Sequence, residues 1–151
     1  MKEFQIGNIR VVFDQTQVPE VFDAVVVVLF SAGQLVLVEN KQRAWEFPGG
    51  HREGHESFEE SAIRETHEEA QAEITDIRYL GYYVSPPKHI TVIVRAEASS
   101  LQLTDAEVGV FEQLPTPLSF GDGRERVFVE IAQAIKQAKE NLNERIPLHP
   151  S

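Results

Sequence analysis

Cysteine is absent from all 151 residues, which excludes disulfide staples and thiolate metal centres and fits a reducing compartment. The fold has to rest on its core alone. With 42% hydrophobic and 25% charged residues, the chain has the composition of one ordinary domain large enough to bury such a core. Long apolar runs are also missing. No stretch approaches the ~20 residues of a membrane span, and the opening MKEFQIGNIRVVF holds no unbroken apolar segment of the secretory kind. A cytoplasmic protein with no membrane partner is expected. Positive charge is the third scarcity: 14 Lys and Arg stand against 24 Asp and Glu, a formal net charge of −10. Such a surface is ill suited to hold long nucleic acid by phosphate neutralisation, and a small anionic ligand would need a metal bridge. No internal repeat, low-complexity tract or interdomain linker interrupts the chain.

Hydrophobic patterning supplies the elements. Lys2 to Asp14 reads as two short strands around a Gly7-Asn8 turn. Phe22 to Phe30 is a nearly continuous β-branched run, expected to be buried on both faces, and Ser31-Ala32-Gly33 turns it into a partner over Gln34 to Glu39. Trp45-Glu46-Phe47 leads into Pro48-Gly49-Gly50, whose glycines are expected to allow positive φ and a close backbone approach to a ligand. Strands follow at Ile74 to Val84 and Ile90 to Ala96, separated by a proline turn, with a loop over Ser99 to Asp105 and a short strand at Val108 to Phe111. Strict alternation would put Tyr79 and Tyr83 on one face and Tyr82 on the other. From about Gly123 to Asn141, the stripe of Phe128, Ile131, Ile135, Ala138 and Leu142 predicts an amphipathic helix laid on the sheet. Residues 1–142 thus read as a single domain and 143–151 as a loose tail. The order of strands and helices predicts an α/β (α+β) sandwich.

Gly50 to Ala72 carries the chemistry. Ser57-Phe58-Glu59-Glu60 is a capping box that starts a helix. On that helix Glu65, Glu68 and Glu69 fall within an arc of roughly 100°. Like charges so placed repel by a few tenths of a kcal/mol per pair, so the cluster makes sense around a positive centre. Carboxylate oxygens suit Mg²⁺, Mn²⁺ or Ca²⁺. Phe58, Ala62, Ile63 and Ala70 are expected to form the buried stripe, with the acidic face opposite. Lys41 and Arg43 lie in the loop before Trp45, either as solvated charges or as phosphate contacts. The rings of Tyr79, Tyr82 and Tyr83 suit core packing or base stacking. His51, His55 and His67 read as solvent-facing side chains or as neighbours of a ligand.

The stretch resembles the Nudix box, a pattern of Gly, five residues, Glu, seven residues, then Arg-Glu-apolar-any-Glu-Glu-any-Gly-apolar. Gly50, Glu56, Arg64, Glu65, Glu68 and Glu69 stand in its fixed positions. At ordinary residue usage such a set of matches has a chance on the order of 10⁻⁷ per window. Thr66, Gln71 and Ala72 depart from the pattern, and Gln71 matters most, because a left-handed helix end costs a non-glycine residue roughly 1 kcal/mol. The resemblance implies a Nudix-like α/β/α sandwich with a mixed central sheet. It also implies a hydrolase that attacks the pyrophosphate linkage of a nucleoside diphosphate derivative with a metal-positioned water, using Mg²⁺ or Mn²⁺. Glu65 or Glu69 would be the base. The implied metal set is the Gly49 carbonyl, Glu65, Glu68, Glu69 and the later Glu107, while Glu56 pairs with Arg64 to hold loop against helix and Gly50 shapes the turn. Lys41, Arg43 and Tyr83 are the candidate substrate contacts. Trp45-Glu46-Phe47-Pro48-Gly49-Gly50 and Phe111-Glu112-Gln113-Leu114-Pro115 look similar to the bacterial branch acting on nucleoside triphosphates and 5′-triphosphorylated RNA ends. Nucleoside diphosphate sugars, ADP-ribose and dinucleoside polyphosphates stay open, as does a homodimer. The alternative is a Nudix-like module that binds a nucleotide or Ca²⁺ without turnover.

Overall fold

The computed structural model describes residues 1–104 and 107–145, with side chains of the last helix described as far as residue 135. Strands β1 (Lys2–Ile6) and β2 (Ile9–Phe13) form the hairpin around Gly7-Asn8, with Ile6 opposite Ile9. The apolar run becomes β3 (Ala24–Ser31), which turns into β4 (Gln34–Glu39). Then come β5 (Trp45–Glu46), β6 (Gly49–His51), helix α1 (Phe58–Ala70), β7 (Ala72–Ser85), β8 (His89–Leu101), β9 (Val108–Phe111) and helix α2 (Arg124–Arg145). Among the described residues the strands form one mixed sheet, ordered β1-β2-β7-β8-β3-β4-β5, with β6 paired to β3 and β9 to β4. β3 and β8 run parallel; their neighbours are antiparallel. No described helix is long and apolar enough to cross a membrane.

Alternation along β3 divides its side chains between two cores. Val25, Val27 and Leu29 join Phe22, Ala62, Ala70 and Tyr79 beneath α1, whereas Val28 and Phe30 join Leu37, Tyr83, Ile93 and Phe128 beneath α2. This is the α/β/α sandwich. Burying one Val or Leu fully contributes about 1.5–3 kcal/mol, so the near-continuous apolar run can be strand only at the middle of such a sandwich. Arg95, 2% exposed, crosses into the α2 layer, where its guanidinium stacks 4.0 Å over the Phe30 ring and donates to the Ala132 carbonyl and the Glu97 carboxylate.

Several expectations need correction. Tyr79 and Tyr83 do not share a face, because the β7–β8 register shifts between Tyr79 and Gly81. The extra residue flips the alternation. Gly81 is required there, since a Cβ on it would lie 2.1 Å from the Val12 carbonyl oxygen. β8 runs on past Ala96 through Leu101, so Ser99 to Leu101 of the expected Ser99 to Asp105 loop belong to the strand paired with β7. The last helix extends past Asn141 to Arg145; Phe128 is buried and Ile131 and Ile135 pack partly against the core, while the Ala138 and Leu142 side chains and residues 146–151 lie outside the described residues. On α1, Ile63 is 45% exposed, and Ser61, Glu65 and Thr66 are the buried residues beside Ala62 and Ala70. Thr66 is accommodated because its hydroxyl donates 2.8 Å to the Ala62 carbonyl, the local bond that threonine brings to a helix interior.

Both ends of α1 are built locally. The Ser57 hydroxyl accepts from the Glu60 N–H at 3.1 Å, and the Glu60 carboxylate accepts from the Ser57 N–H at 3.0 Å. Gln71 takes the left-handed conformation (φ 53°, ψ 36°), and its N–H donates to the His67 carbonyl. The helix end expected of a glycine is therefore kept at the cost of some strain. Replacing Glu60 by Ala removes only the reciprocal half of the capping box. Denaturant unfolding of Glu60→Ala should show a loss of about 0.5–2 kcal/mol, with turnover per folded molecule within twofold of the parent; a large fall in turnover would place Glu60 in the chemistry instead.

Candidate active site

The site begins where β3 and β4 part. Their pairing covers only Leu29 to Ser31 against Gln34 to Val36, and beyond it the two strands splay. The wedge is filled by the chain between them in space: β5 pairs with Val38 and Glu39 of β4, and β6 pairs with Ala24 to Val26 of β3. Pro48 closes the join, its carbonyl accepting from the Val27 N–H at 2.8 Å. Gly49 and Gly50 are consequently strand residues with no positive φ, contrary to the turn expected of them. Their lack of side chains matters for space. A Cβ on Gly49 would stand 2.3 Å from the Val25 carbonyl oxygen, and one on Gly50 would stand 2.6 Å from Glu65 Oε1.

That contact brings the acidic helix onto β6. The Glu65 side chain is 9% exposed and accepts from Arg64 Nη1 at 2.9 Å, while Glu69 Oε1 accepts from the Gly49 N–H at 2.7 Å. The acidic face is therefore turned inward here, and only Glu68, with its side chain 54% exposed, remains on the open side. Arg64 supplies positive charge among them. Its guanidinium reaches Glu56 Oε2 at 2.8 Å, Glu68 at 3.2 Å, Glu53 at 3.4 Å and the His51 carbonyl at 2.9 Å. Glu56 is held on several sides, by Arg64, by the Ser61 hydroxyl at 2.9 Å and by the Glu53 N–H at 2.8 Å. Hydrogen bonds from Arg64 in particular lower its carboxyl from 4.5 to about 2, against the opposing effect of desolvation. Glu69 moves the other way. Burial chiefly raises it to about 7, with Glu65 and Glu46 adding repulsion and the Gly49 N–H pulling back. Negative charge at this spot exceeds what Arg64 covers.

The remaining predicted residues are spread out. Lys41 and Arg43 are exposed in the β4–β5 turn, which Asn40 organises by accepting from the Gln42 and Ala44 N–H groups and donating to the Ser119 hydroxyl. Tyr83 is 8% exposed and stacks on Phe128 at 5.8 Å beneath α2, so its ring is part of the core there. Glu107 precedes β9, and its carbonyl accepts from the Glu39 N–H at 2.7 Å. His67 lies beside Glu73 at 3.0 Å, and His55 is exposed before α1. Glu46, whose charge acts on Glu69, was not foreseen, since its reach depends on β5 filling the wedge. Arg52 was also missed: it stacks 4.4 Å over Phe22 and donates to the Glu56 carbonyl.

Among the described residues no three acidic or imidazole groups converge as a ready-made metal site. Arg64 occupies Glu65 and Glu68, and a backbone N–H occupies Glu69. The donor chemistry nevertheless fits a hard divalent cation, being oxygen throughout, with two adjacent carboxylates, Glu65 and Glu69, whose repulsion a cation would relieve.

A NUDIX domain model matches residues 21–147. The chain belongs to the NUDIX family. It is a Nudix-type pyrophosphohydrolase, of a family whose members generally need divalent metal ions and act on small nucleotides. A relative from Bacillus subtilis (strain 168), YtkD, whose name provisionally assigns it 8-oxo-dGTP diphosphatase activity, is 28% identical over 111 residues, covering 74% of this chain and 70% of that protein. The crystal structure of a variant of the Bacillus subtilis pyrophosphohydrolase BsRppH superposes with a TM-score of 0.72 at 26% identity, over 91% of this chain and 98% of that one. A MutT structure from work on Aliivibrio salmonicida and Vibrio cholerae has a TM-score of 0.58 at 19% identity, over 73% of this chain and 94% of the other, and shares the fold.

Two outcomes test the site's construction. In Gly50→Ala the new methyl meets only the movable end of Glu65, whereas in Gly49→Ala it meets backbone. Gly50→Ala should therefore melt within about 1 kcal/mol of the parent and lose turnover, and Gly49→Ala should lose several kcal/mol; paired melting and rate measurements that reverse this order would refute the geometry. The second outcome concerns acid. A carboxyl lowered in the folded state stabilises the protein above its unfolded value and ceases to as pH falls through the folded one. The stability difference between the parent and Glu56→Gln should thus be complete above about pH 4.5 and close between there and about pH 2; unfolding curves that keep a constant difference over that window would contradict the pairing.

Proposed function

We propose that this enzyme hydrolyses the pyrophosphate linkage of a nucleoside triphosphate or a related 5′-polyphosphorylated nucleotide, with Mg²⁺ or Mn²⁺ as its cofactor. The observation that carries this is the packing of Glu65 and Glu69 against the glycines of β6, with Arg64 fixing one of them. The substrate class is supported by the names of the two Bacillus subtilis relatives, one tied to 8-oxo-dGTP and the other a pyrophosphohydrolase. An RNA 5′ end is included in that class, since only its terminal phosphates need enter the site.

Glu65, Glu68 and Glu69, with the Gly49 carbonyl and Glu107, are the residues that would hold the cation. When bound, the ion neutralises pyrophosphate oxygens and polarises a water. The protein's own share is positioning. Arg64 holds Glu65 against Gly50 and ties the loop through Glu56 and the His51 carbonyl, so the carboxylate need not reorganise as charge develops. Glu69 is the proton acceptor in this reading, because Glu65 is engaged by the Arg64 guanidinium, whereas Glu69 is oriented through one oxygen by the Gly49 N–H.

Glu69→Gln keeps side-chain volume and removes the charge. Turnover on the best substrate from a panel of nucleoside triphosphates, 5′-triphosphorylated RNA and ADP-ribose should fall by about two to four orders of magnitude, with the melting temperature held or slightly raised. EDTA should abolish parent turnover. Parent activity that survives chelation would sink the metal mechanism, and an unimpaired Glu69→Gln would favour a module that binds nucleotide or Ca²⁺ without turning it over.

A further inference from the structure

We propose that His51 and His89 form a two-imidazole clamp that donates hydrogen bonds to non-bridging phosphoryl oxygens of the substrate, on the side of β6 opposite the carboxylates. The inference rests on the pyrophosphohydrolase reading and deepens it. The two rings come from different strands and meet edge to face, with centroids 5.5 Å apart and planes at 89°. Strand alternation explains the meeting: Gly50 faces Glu65 on the α1 side, so the next residue, His51, faces the α2 side. On β8, Ile90 packs in the α1 layer, so His89 also faces the α2 side. β6, β3 and β8 lie side by side, Ala24 pairing with both His51 and Thr91, which brings the two rings to one end of the sheet.

His51 follows Gly50, over which Glu65 packs, and its backbone is anchored there. The His51 carbonyl accepts from Arg64 Nη2 at 2.9 Å, so the guanidinium that fixes Glu65 fixes the backbone of His51 as well. A polyanion lying across the edge of β6 needs donors on the side the carboxylates do not serve. Arg64 is committed to carboxylates and Arg52 to the Glu56 carbonyl and the Phe22 ring. Among the described residues neither imidazole has a hydrogen-bond partner; His51 is exposed and His89 half-buried. Each ring carries at least one N–H whatever its protonation state, and a bond from it to a phosphoryl oxygen is charge-assisted. On a chain of net charge −10, two converging uncommitted donors beside an acidic site are suited to a phosphate rather than to a further cation.

The test compares the parent with the His51→Phe/His89→Phe double variant, which keeps the ring contact and removes the donors, and with His51→Asn/His89→Asn, which restores an N–H at each position. GTP hydrolysis is measured with Mg²⁺, binding with the β,γ-methylene analogue of GTP, and Mn²⁺ affinity by water proton relaxation. The phenylalanine pair should raise KM and the analogue's Kd by roughly 10- to 100-fold, leave kcat within about threefold, and leave Mn²⁺ affinity and melting temperature unchanged. The asparagine pair should recover most of the loss. If phenylalanine lowers the melting temperature, an alanine pair gives the same comparison. KM and Kd within twofold of the parent, or Mn²⁺ affinity falling in step with them, would overturn the clamp while leaving the hydrolase reading intact. A parent that neither binds the analogue nor hydrolyses any nucleotide of the panel would overturn both.

Discussion

The guanidinium of Arg64 is the contact on which the site depends. It sits on α1, yet it reaches the loop through Glu53 and Glu56, the sheet through the His51 carbonyl and its own helix through Glu65 and Glu68. An isolated exposed pair of this kind contributes about 0–1 kcal/mol. Arg64 differs because its side chain is only 18% exposed and its fork is satisfied on several sides, where planar bidentate donors orient as well as attract. Without it, Glu65 would stand against Gly50 with repulsion from Glu69 and nothing fixed to oppose it.

A second constraint lies in the sheet. β3 is committed to two partners along its length, β8 on one side and first β6 then β4 on the other. Because β3 and β4 separate after a short pairing, backbone from β5 and β6 can enter the sheet where a regular hairpin would have left no room. The functional consequence is that the glycines are rigid. They sit in paired backbone, with Gly49 pressed to Val25 and Gly50 to Glu65, so the carboxylates meet a scaffold rather than a loop. Rigid placement of this kind is what an electrostatic site requires, since charge developing in a transition state is stabilised best by groups that need not move.

The opposed shifts of Glu56 and Glu69 show how one helix and the loop that leads into it can hold two kinds of carboxylate. Glu56, just before α1, has Arg64, Ser61 and a backbone N–H around it and is held well below the ordinary range; Glu69, one face away, has a single N–H and two carboxylate neighbours and is raised to about 7. The first is a structural anion. The second is poised to change protonation, and the difference comes from neighbours and burial rather than residue type.

Much of this was legible in the residues themselves. The capping box, the apolar run of β3, the hairpin at Gly7-Asn8 and the spacing of Gly50, Glu56, Arg64, Glu65, Glu68 and Glu69 are local, and local chemistry determines them: a hydroxyl and a carboxylate at the right interval cap a helix, and a period of 3.6 stacks carboxylates on one side of it. What the tertiary structure decided involves residues distant in sequence. The bulge near Leu80 that separates Tyr79 from Tyr83 answers to β8, the strand role of Gly49 and Gly50 answers to the splay of β3 and β4, and the inward turn of Glu65 answers to the empty space over Gly50. His51 and His89 meet only because β6, β3 and β8 are neighbours in the sheet. Spacing along a chain specifies which side of an element a residue occupies, but only the packing of elements specifies what that side faces.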